Sequence, residues 1–406
     1  MIVYIFVLAL SLMGVKIADM WYDDQQRFWG GSLLAILPPI LIAGLRDSTV
    51  GSDMDLYIVP IFNGIASNGQ NLAEFIDSYP DIEFGYLLLN YVVAQMTDLP
   101  FVLLTCIHIL IIIPLYVTAI KWRDYLSPIF FMFIFYMIFF QESLSIVRQS
   151  IALSFSMLGL TMFLEPQILA SRWWQAAKPR PQNDTEEMID TNLSRYVCSG
   201  LCLVIAFLFH QTAIIALSFP IIYFVVDRFS LKQTYVLYIV IALLIVVFFL
   251  NFDSLLIWLI ENEYIDFKFL KYTSADNTFI PVLGTTNIVI KVLTIAYLVY
   301  IMIIYEADSL LKFFLVVAVM DMLFSLCALI MQPLDRISLY FRLVSCISLP
   351  YLIYNYPIIF TDEDAPYTTP IEGFVCVLLF AYWFYVYMLG NYDDTADYQI
   401  SSTLFV

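Results

Sequence analysis

The stretch P-F-V-L-L-T-C-I-H-I-L-I-I-I-P-L-Y-V-T-A-I, residues 100–120, is an apolar run without an Asp, Glu, Lys or Arg. A helix of this length reaches across the roughly 30 Å hydrocarbon core of a bilayer. Similar runs recur along the 406 residues, of which 62% are hydrophobic and only 13% are charged. A soluble domain of this size needs more charge to cover its surface, so the sequence predicts an all-α, multi-pass integral membrane protein.

The number of apolar runs predicts about 12 transmembrane helices in a single integral membrane domain, residues 1–406. The chain opens directly on apolar residues and lacks the basic start expected of a cleaved signal peptide, so its first run is predicted to be a span. No internal repeat is visible in the sequence. The predicted spans lie near residues 2–18, 29–45, 100–120, 126–142, 144–164, 196–209, 211–226, 234–251, 286–305, 312–331, 336–356 and 371–390.

The distribution of basic residues predicts how the chain is oriented, because cytoplasmic loops carry the excess of Lys and Arg. The most basic loop, residues 165–195, is therefore placed in the cytoplasm. The loops at 46–99 and 252–285 then lie outside. The net charge of −17 argues against nucleic acid as a partner, because nucleic acid is bound by basic clusters.

Within the first outer loop, the segment E-F-G-Y-L-L-L-N-Y-V-V-A-Q-M, residues 83–96, is itself apolar and helix-like. At 1.5 Å per residue it spans only about 21 Å, which is short of the hydrocarbon core. The predicted orientation also allows only one crossing between residues 83 and 121. We therefore expect a short helix that is re-entrant or lies on the outer side of the bundle.

The stretch G-L-R-D-S-T-V-G-S-D-M-D-L-Y, residues 44–57, places several charges directly after a predicted span. The predicted orientation brings it to the same outer side as polar residues from distant parts of the chain. Charged side chains inside a bilayer cost a few kcal/mol each, so they usually serve a site or a pathway. The candidate residues are Arg46, Asp53, Tyr57, Glu83, Arg148, Gln149, His210, Arg336, Tyr340 and Arg342.

These residue types suit chemistry on a phosphate-linked sugar. Arginines beside an outer cavity bind a pyrophosphate well, because a guanidinium group contacts two phosphate oxygens at once. Neighbouring carboxylates supply a general base for a sugar hydroxyl. The sequence lacks a Gly-rich P-loop, a Ser-nucleophile elbow and an H-E-x-x-H motif, which argues against nucleotide hydrolysis, serine-type chemistry and zinc proteolysis.

The arginines also have purely structural explanations. Arg46 and Arg336 lie at the ends of predicted spans, where arginine side chains can extend to lipid headgroups. Arg148 lies deeper in its span, and its structural alternative is an ion pair with Glu142 or Glu83.

Two further residues have open explanations of this kind. Taken alone, His210 fits an ordinary buried, hydrogen-bonded histidine. Asp321 lies deep within the predicted span 312–331, where a carboxylate is costly, and the sequence names no partner for it.

Five stretches, in this order along the chain, resemble the motifs of EpsG-like, Wzy-type bacterial polysaccharide polymerases, which make O-antigen, capsule or exopolysaccharide. Arg46 supplies the spaced arginine that precedes V-G-x-D in that family. The resemblance extends over about residues 40–350, most of the chain. The stretches are R-D-S-T-V-G-S-D-M-D-L-Y (46–57), E-F-G-Y-L-L-L-N (83–90), I-V-R-Q-S-I-A (146–152), L-F-H-Q-T-A (208–213) and R-I-S-L-Y-F-R (336–342).

The resemblance implies a multi-pass glycosyltransferase of GT-C-like architecture in the bacterial cytoplasmic (inner) membrane, with an active site that faces outward. The implied substrates are oligosaccharide repeat units linked to undecaprenyl diphosphate and held in membrane lipid. A flippase and a chain-length regulator are the candidate protein partners. No cofactor and no metal are expected, because arginines can neutralise the leaving diphosphate.

The resemblance also implies roles for the candidate residues. Asp53 or Glu83 is expected to accept the proton of a sugar hydroxyl, and His210 to orient one of the reacting groups. Arg148 is expected to hold the diphosphate together with an arginine of the last motif, and Gly51 to allow a tight turn or a close approach to substrate. The full prediction names Asp53, Glu83, His210 and Arg148 as catalytic, and Arg46, Gly51, Tyr57, Gln149, Arg336, Tyr340 and Arg342 as substrate-binding.

Two alternative functions share part of this chemistry. A ligase-like transferase would move a finished glycan from the same carrier to another acceptor, with the same arginine and histidine chemistry. A transporter or flippase for the lipid-linked sugar would instead show polar residues along a path through both leaflets, often in repeated halves. The candidate residues crowd the outer side and no repeat is visible, which favours the polymerase.

Overall fold

A computed structural model describes residues 2–68, 71–170, 185–230, 251–262, 284–305, 308–328, 333–356 and 370–401, together with isolated positions between 231 and 250. All regular secondary structure in these ranges is helical, without a β-strand, which confirms the all-α prediction. The parts of the prediction that lie outside the described residues are most of the span 234–251, residues 329–331 of the span 312–331, residues 69–70 of the first outer loop, residues 171–184 of the cytoplasmic loop and residues 263–283 of the second outer loop.

Helices follow one another with short connections through most of the described chain. Some begin at side-chain caps: Ser127 Oγ accepts the N–H of Phe130 at the start of the helix Pro128–Ile138, and Asn71 and Glu74 form a capping box on the helix Leu72–Ser78. The elements in chain order are α1 (Ile2–Met20), α2 (Gln25–Gly44), a π-helix (Met54–Ile58), α3 (Val59–Asn68), α4 (Leu72–Ser78), α5 (Phe84–Ala94), α6 (Pro100–Lys121), α7 (Pro128–Ile138), α8 (Phe140–Ser145), α9 (Val147–Ala170), α10 (Thr185–Phe209), a 3₁₀-helix (Gln211–Leu217), α11 (Ser218–Arg228), α12 (Phe252–Glu261), α13 (Gly284–Ile304), α14 (Ser309–Ala328), α15 (Pro333–Leu343), α16 (Ser345–Asn355), α17 (Pro370–Trp383), a π-helix (Phe384–Leu389) and a 3₁₀-helix (Tyr392–Asp394).

Eight helical segments in the described ranges are long and apolar enough to cross a membrane, which confirms the multi-pass prediction. The count of about 12 spans and the GT-C-like architecture stay predictions. The eight segments are Ile2–Met20, Gln25–Gly44, Pro100–Lys121, Val147–Leu164, Gln211–Arg228, Ser309–Ala328, Leu334–Asn355 and Ile371–Leu389.

Two predicted apolar segments form helices that are too short to cross a bilayer alone. α7 has 11 residues where the sequence predicts a span over 126–142, and at 1.5 Å per residue it is about 17 Å long. It ends at Ile138, and the polar residues that follow form the short buried helix α8. α5 also has 11 residues, so the short helix expected within 83–96 is present, and its depth in the bilayer stays a prediction.

The described chain divides into two compact units, of which unit 1 comprises residues 1–216 and 350–406 and unit 2 comprises residues 217–349. In unit 1, hydroxyl groups join neighbouring helices. Ser11 Oγ of α1 donates to the Ala35 carbonyl of α2 at 2.5 Å and accepts from the Tyr136 hydroxyl of α7 at 2.5 Å. Such bonds satisfy polar groups where no water is present. One integral membrane domain over 1–406 stays a prediction alongside this division.

Unit 2 is held together by aromatic contacts and by a buried ion pair. Phe219 of α11 meets Phe313 of α14 and Phe341 of α15 edge to face, with ring centroids 6.4 and 5.7 Å apart. Lys291 of α13 pairs with Asp321 of α14, with Nζ 2.7 Å from Oδ1. This pair supplies the partner of Asp321 that the sequence did not name.

The segment 46–99, expected to be an outer loop, is largely helical where it is described. Its short helices pack around one apolar cluster, whose burial holds them together. Tyr57 packs against this cluster, and Glu83 is the residue that precedes α5. The buried members of the cluster are Ile61, Ile65, Phe75 and Leu87. The location of this segment outside the membrane stays a prediction.

The turn after α2 is built around the side chain of Arg46, which is 1% exposed. Its Nη1 donates to the Ala43 carbonyl at 2.5 Å, its Nε to the Val50 carbonyl at 3.2 Å and its Nη2 to the Leu144 carbonyl at 2.8 Å. A buried donor without an acceptor costs about 1–3 kcal/mol. One cation therefore ties the end of α2, the turn and α8 together.

The C-terminal tail pairs with the same turn. An isolated antiparallel bridge joins Arg46 to Ile400, with two flanking main-chain hydrogen bonds of 2.9 Å. The hydroxyl of Tyr398 donates to the Ile42 carbonyl at 2.9 Å. The tail thus contributes to the shape of the first motif, although it lies about 350 positions later in the chain.

Gly51 allows this turn to close. Its φ is 105°, a backbone conformation that residues with a Cβ rarely adopt. A Cβ at this position would lie 2.6 Å from the Leu144 carbonyl oxygen, the same oxygen that Arg46 binds. A tight turn was one of the two roles predicted for Gly51, and the structure shows it.

Gly51→Ala is expected to destabilise the fold by about 1–3 kcal/mol, because the added methyl group meets the Leu144 carbonyl and the backbone is strained at positive φ. Gly30→Ala is the matched control, because no atom lies within 4 Å of the added carbon. Alanine in place of glycine within a helix stabilises the fold by about 0.5–1 kcal/mol. Thermal unfolding in detergent measures both variants. An unchanged midpoint for Gly51→Ala would contradict this account of the turn.

Candidate functional site

The carboxylate of Glu83 gathers groups from distant parts of the sequence. Its Oε2 pairs with Nη1 of Arg148, 65 positions later, and its Oε1 lies 2.6 Å from Nδ1 of His210, 127 positions later. The main-chain N–H of Gln211 also donates to Oε1, at 3.3 Å. These three residues, Glu83, Arg148 and His210, form what is called here the Glu83 cluster. Their side chains are 8%, 17% and 12% exposed, so the cluster is largely buried but reachable.

Each member of this cluster lies at the end of a helix. Glu83 precedes α5, Arg148 is in the first turn of α9, and His210 follows α10. Gly85 allows α5 and α10 to meet, because a Cβ there would lie 2.7 Å from the Leu208 carbonyl oxygen. The absent side chain therefore lets Glu83 reach His210.

The guanidinium group of Arg148 is bracketed by aromatic rings. Its Cζ lies 5.0 Å from the ring centre of Tyr57 and 5.9 Å from that of Tyr86, within the range of cation–π attraction. The Tyr57 hydroxyl donates to Asp53 Oδ2 at 3.0 Å, which connects the first motif to the cluster. The Nε of Arg148 is buried and has no hydrogen-bond partner among the described residues. Tyr86 was not a predicted site residue, and its position three residues after Glu83 was the available signal.

The charges around Glu83 determine its protonation. Burial by itself raises the pKa of Glu83, but the hydrogen bond from His210 and the charge of Arg148 outweigh it and lower the pKa from 4.5 to about 2. Glu83 is therefore ionised at neutral pH. An ionised carboxylate only accepts hydrogen bonds, so Nδ1 of His210 carries the proton of the bond that they share.

The first motif contributes a second carboxylate beside this pair. Burial raises the pKa of Tyr57, and the nearby Asp53 carboxylate raises it further. The Tyr57 hydroxyl therefore stays protonated and donates to Asp53, which is itself partly exposed. Arg148 thus lies near both Glu83, which it binds directly, and Asp53, which it reaches through Tyr57.

Three predicted substrate-binding residues of unit 1 lie beside the cluster rather than in it. Arg46 directs its N–H groups to main-chain carbonyls, and burial lowers its pKa to about 10, so it remains a cation at neutral pH. Gly51 shapes the turn, and Gln149 follows Arg148 in α9 and is 3% exposed. Substrate binding by these three stays a prediction. The predicted residues that the structure brings together are Asp53, Tyr57, Glu83, Arg148 and His210.

The remaining predicted residues belong to unit 2. Arg336 is exposed, whereas Tyr340, one helical turn later, is 1% exposed, so the two differ in depth although their spacing predicts one face. Arg342 is buried and donates through Nη2 to Asp335 Oδ1 at 2.6 Å. Substrate binding by these residues stays a prediction. Sequence reasoning missed Lys291, for which the signal was a lysine inside an apolar span.

The Glu83 cluster combines three chemical functions within hydrogen-bond reach. It holds a positioned guanidinium cation, an ionised carboxylate and an imidazole with a second ring nitrogen on the side away from Glu83. Such a set can bind an anion and accept a proton. Within the part of the chain that the structure describes, no group of three or more His, Cys, Asp or Glu side chains could hold a metal ion, and metal independence stays a prediction.

Comparison with known families identifies the class of protein. A model of the EpsG family matches residues 32–175 and 188–400, most of the chain. The chain belongs to the EpsG family. This membership confirms the resemblance of the five motifs and indicates a polysaccharide polymerase-type membrane protein. All residues of the Glu83 cluster lie inside the part matched by the EpsG family. A search of curated proteins found no match, and a search of solved structures found none.

Glu83→Gln is expected to lower the unfolding free energy of this EpsG-family protein by roughly 3 kcal/mol at neutral pH. A neutral amide then replaces the ionised carboxylate that pairs with Arg148 and His210. The pKa of Glu83 in the folded state is lowered, so its contribution to stability is present above pH 4.5 and lost as the pH falls through about 2. The difference between wild type and Glu83→Gln should therefore shrink below pH 4.5.

Unfolding midpoints in detergent between pH 7 and pH 3 measure this effect. Asp55→Asn is the control, because Asp55 is an exposed carboxylate of the neighbouring π-helix. A difference between wild type and Glu83→Gln that is constant over the whole pH range would contradict the assigned ionisation of Glu83.

Proposed function

We propose that this protein is a glycosyltransferase that polymerises undecaprenyl-diphosphate-linked oligosaccharide repeat units into surface polysaccharide on the outer face of the cytoplasmic membrane. The observation that carries the proposal is the Glu83 cluster, in which residues of three sequence motifs meet at one carboxylate. Membership in the EpsG family supports the same class of reaction. The outward orientation rests on the basic composition of the 165–195 loop.

The proposed reaction exchanges one bond at the anomeric carbon for another. A hydroxyl oxygen of the acceptor repeat unit forms a bond to the anomeric carbon of the donor chain. The bond from that carbon to the diphosphate oxygen breaks, and undecaprenyl diphosphate leaves with the electron pair. The proton of the acceptor hydroxyl passes to a base. The site must therefore stabilise negative charge on the leaving group and accept one proton.

Arg148 is the proposed ligand of the leaving diphosphate. Glu83 holds its Nη1, and the ring of Tyr57 lies 5.0 Å from its Cζ, so the guanidinium group is positioned before substrate arrives. Its Nε, which has no partner among the described residues, is a donor that a phosphate oxygen could satisfy. A positioned cation stabilises the developing charge without reorganisation during the reaction.

His210 is the proposed proton acceptor, oriented by Glu83. Because Nδ1 donates to Glu83 Oε1, the lone pair of a neutral imidazole is on Nε2, which can accept the hydroxyl proton. The carboxylate then stabilises the imidazolium that forms. Glu83 itself is a weak base, with a pKa of about 2, so the orienting role suits it better. Asp53 is the other proposed base, because it is partly exposed and held by Tyr57.

Arg148→Ala and Arg148→Lys are both expected to reduce polymerisation by about 100-fold or more. Alanine removes the guanidinium charge, and lysine keeps a charge but cannot bind two phosphate oxygens in the bidentate geometry of arginine. Single lipid-linked repeat units should then accumulate on the outer face of the membrane. The measurement is the length of surface polysaccharide, together with the amount and sidedness of lipid-linked units, in cells that carry each variant.

Arg27→Ala is the matched control, because Arg27 is an exposed arginine of α2 whose ion pair is with Asp24. Wild-type chain lengths in both Arg148 variants would contradict the proposed role. Accumulation of single units on the inner face would favour a flippase, and full-length chains that stay on the carrier lipid would favour a ligase.

His210→Gln is expected to slow chain extension by about 100-fold, because general-base catalysis is lost while a polar side chain of similar size remains. The measurement is the rate at which labelled repeat units enter polymer in membrane vesicles. Gln211→Ala is the control, because Gln211 contacts Glu83 through its main-chain N–H, which the substitution keeps. An equal rate for His210→Gln and Gln211→Ala would shift the role of base to Asp53.

A further inference from the structure

Unit 2 buries charged side chains in one connected hydrogen-bond network. Nζ of Lys291 donates to Asp321 Oδ1 at 2.7 Å and also contacts Ser325 Oγ. Ser338 Oγ donates to the same oxygen of Asp321, at 3.0 Å. The side chains of Lys291 and Asp321 are 5% and 9% exposed, so this pair lies in the interior of the unit.

Arg342 lies between two carboxylates of this network. Its Nη2 donates to Asp335 Oδ1 at 2.6 Å and to Ser338 Oγ at 3.1 Å, whereas its Nε is 3.9 Å from Asp321 Oδ1. The side chain of Asp335 is 36% exposed, and that of Arg342 is 4% exposed. The guanidinium group therefore binds the more exposed carboxylate, Asp335, closely and the buried carboxylate, Asp321, only at the limit of an ion pair.

Lys291 and Arg342 compete for the charge of Asp321. Lys291 is the closer partner, at 2.7 Å against 3.9 Å, and charge attraction grows as distance falls and is stronger in a low-dielectric interior. If Lys291 lost its charge, Asp321 would be a buried carboxylate without full compensation, which is costly. The planar donors of Arg342 fit a carboxylate well and lie within reach, so Arg342 would move inward.

We infer that Lys291 is a positioning residue for diphosphate binding at Arg342, an inference that rests on the proposed function. By neutralising Asp321, Lys291 keeps Arg342 directed outward, where its guanidinium group exchanges the carboxylate of Asp335 for the diphosphate of a lipid-linked substrate. The proposed reaction uses two lipid diphosphates, one on the donor and one on the acceptor. A second diphosphate-binding arginine besides Arg148 therefore has a defined use.

The two carboxylates give this inference consequences of opposite sign, which a role in folding alone would not produce. Removal of the Lys291 charge should weaken diphosphate binding, because Arg342 turns to Asp321. Removal of the Asp335 carboxylate should strengthen diphosphate binding, because the diphosphate no longer competes with Asp335 for Arg342. Removal of the charges of both Lys291 and Asp321 should restore binding, because Arg342 then has no inner carboxylate to follow.

The test is the binding of undecaprenyl diphosphate to the full chain in lipid nanodiscs. The Arg148→Ala protein is the parent, so that only the second binding site is measured. In this parent, Lys291→Met is expected to weaken binding about tenfold, in proportion to one lost charge-assisted contact. Asp335→Asn is expected to tighten binding, and Lys291→Met combined with Asp321→Asn to bind within about twofold of the parent.

Lys312→Met is the matched control, because Nζ of Lys312 donates to the carbonyls of Val226 and Phe229 in the same unit. Unchanged binding by Lys291→Met, weaker binding by Asp335→Asn or no restoration in the double variant would each overturn the inference. Binding by the wild type but not by the Arg148→Ala parent would overturn it and leave the proposed function intact. No binding by the wild type would overturn both.

Discussion

The candidate site depends on the pairing of the ionised Glu83 carboxylate with Arg148 and His210. A carboxylate that loses most of its water inside an apolar bundle is several kcal/mol too costly unless charges and hydrogen bonds compensate it. Arg148, His210 and the main chain at Gln211 supply that compensation from α9 and from the break after α10. The start of α5, the start of α9 and the end of α10 must therefore meet, and Gly85 removes the side chain that would keep them apart.

The same need to compensate a buried charge distinguishes two arginines of unit 1 by the acceptors around them. Arg46 is 1% exposed and its donors reach three main-chain carbonyls, so its charge stabilises the turn of the first motif. Arg148 is 17% exposed, is held by a carboxylate and two tyrosine rings, and keeps a donor without a described partner. The side chains are identical, and they differ in the acceptors that satisfy their donors.

Hydropathy and motif order predicted a large part of this arrangement. The multi-pass helical architecture, the short helix after Glu83, the ion pair of Arg148 with Glu83 as one of its alternatives, and the family all follow from the sequence. The end of α7 at Ile138, within the predicted span 126–142, does not follow from the sequence, because the apolar composition continues to Phe140. The Lys291–Asp321 pair was equally hidden, since sequence spacing within one helix says nothing of the helix opposite.

The sequence by itself determined that this chain is a helical membrane protein, because apolar runs of bilayer length have few other stable states. It also determined which chemical groups are available, since a few charges stand out against 62% hydrophobic residues. Tertiary structure alone decided which of these charges satisfy one another and which keep a donor without a partner among the described residues. The physical reason is that burial and hydrogen-bond pairing depend on contacts between residues far apart in the chain, such as Glu83 and His210.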